Sequence, residues 1–127
     1  MDPNQALSNQ KYMLLETYKK NGEAKRTVVG FAVENGIVFF YTNPKTWKAK
    51  RLRRNSKVRL AGCSWGGKVK GEWANGRAHR VEDSAEAKRI FKLVTSRYGM
   101  RARIGMVIQR VIQRNTWIVF SITPESQ

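Results

Sequence analysis

Apolar and polar positions change their period several times along this 127-residue chain, and the changes mark out its elements. Residues 12–19, YMLLETYK, are apolar and aromatic enough for a strand, and Asn21-Gly22 follows as a turn signal. Residues 25–33, KRTVVGFAV, are rich in β-branched and aromatic types and predict a second strand. Glu34-Asn35-Gly36 is a further hairpin turn, leading into the strongly strand-like IVFFYT at 37–42. The first third therefore reads as a three-stranded meander. Asn43-Pro44 then predicts a helix start, because Asn can cap and Pro at the first helical position gives up an amide that would be unpaired anyway. This helix runs to about Arg54 and stops at Asn55-Ser56.

Residues 57–65, KVRLAGCSW, alternate as a strand does, and Gly66-Gly67 is a turn. Residues 68–82, KVKGEWANGRAHRVE, predict another strand with a bend or bulge at Asn75-Gly76. Asp83 opens a helix, with Glu86 completing a pair that resembles a capping box. Ala87, Ile90, Phe91, Val94 and Tyr98 follow at helical spacing, and Gly99 ends the run. Residues 101–114, RARIGMVIQRVIQR, place Ile104, Val107, Ile108, Val111 and Ile112 on one helical face. Residues 116–123, TWIVFSIT, form a last strand that Pro124 ends. The order β-β-β-α-β-β-α-α-β, with no repeat and no linker, predicts one domain over residues 1–127. Hairpin-joined strands make it a mainly β protein, a small antiparallel barrel with helices packed outside.

Composition narrows the function classes. Hydrophobic residues at 41% and charged residues at 27% exclude a disordered chain. The single cysteine, Cys63, excludes an internal disulfide and fits a reducing compartment. There is no apolar run of transmembrane length, and MDPNQALSNQ lacks the regions of a signal peptide, so the expectation is a cytoplasmic protein with no membrane insertion. A formal charge of +16 implies an anionic partner: nucleic acid, a membrane surface or a polyanionic small molecule. No acidic residue lies between Glu34 and Glu72, which concentrates the positive field in mid-chain.

The chain has neither a GxxxxGK[ST] loop nor a GxGxxG, and its serines have no triad context. His79 has no Cys, Asp or second His nearby, and Cys63 reads as a small buried hydrophobe. No catalytic side chain and no metal ligand is assigned, so any redox chemistry has to come from a cofactor. The basic stretch YTNPKTWKAKRLRRN at 41–55 is the informative one. Lys48 and Leu52 share a helix face, and Leu52 is the helix's main aliphatic residue, so Lys48 is expected to look inward. An inward ammonium needs an anion, and a bound phosphate suits it. Arg51 can join Lys48, and Thr42, Asn43 and Thr46 sit by the helix N-terminus, where free amides favour anions. Lys45, Lys50, Arg53 and Arg54 fall on the outer face.

The stretch IVFFYTNPKTWKAKRLRRNSKVRLAG resembles the central signature of the pyridoxamine 5′-phosphate oxidase-like, flavin-binding split-barrel proteins. The likeness takes in Arg26-Thr27-Val28-Val29 and the ANGRAHRVED strand before the second helix. It is closest to a small branch of deazaflavin (coenzyme F-420) oxidoreductases, through LLETYKKNG, the KxKRLRRNxxVRLA core and the closing Ile122-Thr123-Pro124. The resemblance implies a six-stranded antiparallel split β-barrel that forms a homodimer, with the cofactor at the interface. It implies that Lys48 holds the cofactor phosphate and that Tyr41 and Thr42 contact the ribityl phosphate and ring. The Arg26, Thr27, Val28 and Val29 backbone would lie along the ring, and Arg51 would assist with phosphate. Trp47 stands where the oxidase proper has an arginine, which argues against true pyridoxamine-phosphate oxidase activity.

The expected function is hydride transfer between a flavin-type cofactor and a small organic substrate. The positive charge ranks F-420, with its polyglutamate tail, ahead of flavin mononucleotide (FMN). Two other readings stay open: a flavin-, haem- or tetrapyrrole-binding protein without turnover, and a basic nucleic-acid-binding domain. The second rests on charge and four tryptophans, without a recognised motif and with no specific nucleic acid implied. The 101–114 helix reads as packing on the barrel or a partner subunit in preference to lying on a membrane surface.

Overall fold

The computed structural model describes residues 7, 10–97 and 117–125. In chain order the elements are β1 (Tyr12–Tyr18), β2 (Ala24–Val29), β3 (Ala32–Glu34), β4 (Ile37–Thr42) and α1 (Trp47–Arg54). Then come β5 (Lys57–Cys63), β6 (Ala74–Arg80), α2 (Ser84–Ser96) and β7 (Ile118–Pro124). All strands join one antiparallel sheet in the order β2-β1-β5-β6-β7-β4-β3. The expected 101–114 helix and its neighbours Tyr98 and Gly99 lie outside the described residues.

The strand expected over 25–33 is two strands, and the three-stranded meander does not form. Its first half, β2, pairs with β1, and its second half, β3, pairs with β4. Those are the two opposite edges of the sheet. A flat seven-stranded sheet would be about 29 Å across at about 4.8 Å per strand. The step from Val29 to Ala32 spans at most about 11 Å of backbone. The sheet must therefore curl until its edges meet at Gly30-Phe31, which gives a half-barrel of seven strands where six were expected. Phe31 pins the bend from within the core. Arg97 holds it from outside, its Nη1 donating to the Phe31 carbonyl and its guanidinium lying 4.3 Å from the Phe31 ring centroid.

Alternation sorts the strands onto two faces. Met13, Leu15, Val38, Phe40, Val58, Leu60, Phe120 and Ile122 fill the interior, and α1 adds Ala49 and Leu52. On the outer face α2 packs Ile90, Phe91 and Val94 against Ala32, Phe39 and Val119. Asn35 and Gly36 both have positive φ, 53° and 78°, as a tight hairpin between β3 and β4 requires.

The bend or bulge expected at Asn75-Gly76 is absent. β6 runs in regular register, with Gly76 opposite Val58 on one side and Pro124 on the other. Gly76 is there because a Cβ would lie 2.6 Å from Ile122 Cγ2. The 68–82 run breaks earlier, where Val69 makes only an isolated bridge to Cys63. Pro124 is the last residue of β7, so the strand ends where the sequence placed its end. Asp83 occupies the N-cap of α2 without a side-chain cap bond, and Glu86 turns instead to Arg89 at 2.6 Å. Arg89 also reaches Glu34 at 2.7 Å, tying α2 to β3.

Candidate functional site

The junction of β4 and α1 is built by side-chain hydrogen bonds. α1 begins at Trp47, and its cap is Thr46, three residues later than the Asn43 cap expected from the sequence. Asn43 and Pro44 instead form a turn: Asn43 Oδ1 accepts from the Lys45 amide at 2.8 Å and its carbonyl accepts from the Thr46 amide at 3.1 Å. Thr46 Oγ1 accepts from the Ala49 amide at 3.3 Å and donates to the Asn43 carbonyl at 2.9 Å. It also sits 3.2 Å from Thr42 Oγ1, which locks the end of β4 to the first turn of the helix.

Lys48 is therefore the second residue of α1, half-buried, on the face that carries the buried Leu52. Burial pulls its pKa below the usual lysine value, and the neighbouring Arg51 charge adds to the effect. No carboxylate among the described residues pairs with it. The outer cations Lys45, Lys50, Arg53 and Arg54 are exposed.

Lys48 faces a cavity of about 450 Å³. Val28, Val29 and Gly30 form one wall at the sheet-closing bend, and Tyr41 and Thr42 of β4 stand beside the lysine. Val94 and Thr95 of α2 close another side, and Tyr12, Trp65 and Trp117 make an aromatic mouth. Tyr41 packs against Phe91 at 4.4 Å and meets Trp117 edge-on at 5.1 Å.

Of the sequence-derived candidates, Lys48, Tyr41, Thr42, Val28 and Val29 thus share one cavity. Asn43 and Thr46 do not line it but build the turn and cap that aim Lys48. Arg51 lies beside Lys48 and donates from Nε to the buried Thr17 Oγ1 at 2.9 Å. Arg26 and Thr27 are outside the lining. Arg26 pairs with Glu16 at 2.9 Å and lies over the Trp73 ring, while Thr27 sits opposite Leu15 in the β1–β2 ladder. The sequence reading did not single out Gly30, Thr95, Tyr12, Trp65 or Trp117. The available signal was Trp65 in the polar context CSWGGK, an aromatic with no apolar neighbours to bury it; it is 75% exposed.

The arrangement can hold an anionic group at Lys48, by the N-terminus of α1, and a planar apolar body against the strand wall and aromatics. It carries little acid–base capacity. Among the described residues its lining has no Asp, Glu, His or Cys. Burial pushes the Cys63 thiol up, and no group of three metal-ligating side chains occurs among the described residues.

The family described as Pyridoxamine 5′-phosphate oxidase matches residues 4–125. The chain belongs to the pyridoxamine 5′-phosphate oxidase family. Solved structures of similar fold include a conserved hypothetical protein of Mycobacterium tuberculosis, 21% identical with a TM-score of 0.71, covering 93% of this chain and 75% of that one. HutZ, the haem storage protein of Vibrio cholerae, is 19% identical with a TM-score of 0.68, over 94% and 84%. An F-420 reductase is 14% identical with a TM-score of 0.64, over 97% and 93%. No curated protein matches the sequence. At these identities the likeness is one of fold. Proteins of similar fold thus include both a reductase and a storage protein. The residues around Lys48 have to separate these activities for this chain.

Proposed function

We propose that the chain is an oxidoreductase of the cytoplasm that binds a flavin-type cofactor at the Lys48 cavity, with deazaflavin F-420 favoured and FMN the alternative. The observation that carries this reading is Lys48 itself: a half-buried cation with no described carboxylate partner, beside a cavity with an apolar wall. A phosphate would supply the missing counter-charge. Lys48 and the α1 amides would hold that phosphate, with Thr46 and Asn43 keeping the helix end in place and Arg51 adding positive field. The Val28–Gly30 backbone and Tyr41 would position the ring, and the aromatic mouth would limit water access. The cofactor, when bound, supplies hydride transfer to or from a small organic substrate. The protein's own groups contribute position and field. The exposed Trp65 and Trp117, beside the half-buried Tyr12, fit a site completed by a second copy, as a homodimer would provide.

F-420 ranks first because the exposed Arg53 and Arg54 lie on the same helix as Lys48, where a polyanionic tail could meet them. Storage of haem without turnover is the second reading, favoured by the fold shared with HutZ. The described lining offers Tyr12 and Tyr41, but no His or Met, as an iron ligand. Specific nucleic-acid binding is not proposed.

The test is titration of the purified protein with F-420, FMN and haem, followed by absorbance and fluorescence, with Lys48→Ala alongside. Binding of F-420 or FMN that weakens at least tenfold in Lys48→Ala supports the reading. Binding of haem alone, indifferent to Lys48, would overturn it.

A further inference from the structure

A second cavity, of about 290 Å³, opens between α1 and the β6–β7 ladder and shares no lining residue with the first. Its floor is apolar: Leu52, Ala78, Ile118 and Phe120 are all buried. Its rim carries two guanidinium groups, Arg53 and Arg80, and no carboxylate among the described residues lines it.

Arg80 is the last residue of β6. Along β6 the residues Ala74, Gly76 and Ala78 are buried, and the intervening Arg77 and His79 are exposed. Side chains alternate between faces, so Arg80 belongs to the inward row. In register it lies opposite Phe120, a member of the interior cluster. Arg80 is itself exposed at the strand end, so its guanidinium stands in solvent at the mouth of the cavity, beside the apolar floor. Among the described residues the Arg80 side chain makes no ion pair and no hydrogen bond. Arg53 comes from the other side of the cavity. Its Nη2 donates to the Pro44 carbonyl at 2.9 Å, which fixes the guanidinium at the rim and leaves further N–H donors available.

We propose that this cavity binds a small organic carboxylate with a compact apolar body, of the aryl or short acyl kind. Arg80 and Arg53 meet the carboxylate, and Leu52, Ala78, Ile118 and Phe120 seat the body. The guanidinium fork matches a planar carboxylate in a way that an ammonium does not. The apolar floor selects against a bare inorganic anion. The volume lies at the lower end of the roughly 300–1,000 Å³ range of small-molecule sites, which excludes bulky ligands. The site shares no lining residue with the Lys48 cavity, and Arg80 belongs to it alone.

Calorimetric titration of the whole protein with benzoate and hexanoate tests this, with benzyl alcohol and inorganic phosphate as the uncharged and the purely anionic probes. At least one carboxylate should bind, and more tightly than either control. Arg80→Gln should weaken that binding about tenfold or more, since a charged hydrogen-bonding partner is lost. Arg53→Gln should weaken it less, and Lys48→Ala should leave it unchanged. Thermal melts establish that each variant is folded. In the unaltered protein, nuclear magnetic resonance of the arginine side chains should show Nε signals moving on benzoate addition and losing that response in Arg80→Gln. Absence of carboxylate binding overturns the proposal. So does binding that survives Arg80→Gln, that is matched by phosphate, or that disappears in Lys48→Ala.

Discussion

Arg59 places its Nε 2.7 Å from Oε1 of Glu16, a carboxylate that is 1% exposed although it lies on the outer face of β1. Arg59 Nη2 and Arg26 Nε reach the other oxygen at 3.1 and 2.9 Å, and the Tyr18 hydroxyl donates to the first at 2.8 Å. Trp73 covers the group, with the two guanidiniums 4.7 and 4.8 Å from its ring centroid. Burial alone would raise the Glu16 pKa. The hydrogen bonds from Arg59, Arg26 and Tyr18 outweigh it and hold the carboxyl at about 2.

That relationship predicts a loss of stability in acid. The folded pKa lies below the unfolded one, so the contribution is fully present above the ordinary Glu value. It falls away as pH drops from about 4.5 towards about 2. The size is about 2 kcal/mol, because both arginines remain partly exposed. Thermal melts across that pH window should show a decline in Tm that Glu16→Gln flattens. At neutral pH Glu16→Gln should be the less stable protein. Equal slopes in the two proteins would show that Glu16 is not the titrating group.

Lys48 has the opposite sign. Its folded pKa is lowered, by burial and then by Arg51, so the protonated form is disfavoured in the folded chain. Stability should rise with pH as Lys48 deprotonates, in the window below the ordinary lysine value. Lys48→Met should raise the Tm of the ligand-free protein, by about 0.5–1 kcal/mol in stability, while binding of a phosphate-bearing ligand falls at least tenfold. Differential scanning calorimetry with and without ligand reads both. A destabilised Lys48→Met would mean that the ammonium already has a stabilising partner.

Gly76→Ala should cost about 1–3 kcal/mol, as overpacking does. The added methyl would meet Ile122 Cγ2 at 2.6 Å and the Thr123 carbonyl at 3.0 Å. Backbone cannot swing aside as a flexible side chain can, so the clash outweighs the modest gain from a less flexible unfolded chain. Urea unfolding of the variant decides between the two effects.

The hairpin turns were legible because Asn-Gly pairs carry their own backbone preference, and the Lys48–Leu52 face followed from helical spacing alone. The division of 25–33 was hidden because the apolar run continues through Gly30-Phe31, and only the edge pairings reveal that the chain changes partner there. The Glu16 cluster could not be seen either. Glu16 and Arg59 are 43 residues apart, and strand register alone brings them together. The aromatic mouth was missed for a related reason. Tyr12 and Trp65 meet through the β1–β5 pairing, their ring centroids 5.1 Å apart, and Trp117, just before β7, joins the same cavity only once the sheet has curled.

Thr46 gives a test of how the site is held. Its hydroxyl caps α1 through the Ala49 amide and anchors the Asn43 carbonyl, and a threonine at the N-cap is worth about 1 kcal/mol over alanine. Thr46→Ala should therefore lower stability by about that amount. It should also loosen the first turn that positions Lys48, although Thr46 is absent from the cavity lining. Anion affinity at Lys48 should fall severalfold in Thr46→Ala and recover in Thr46→Ser, which keeps the oxygen and drops only a methyl. Melting temperatures and ligand titrations on the three proteins separate the possibilities. If affinity stays constant while stability falls, the cap supports the helix without aiming the lysine.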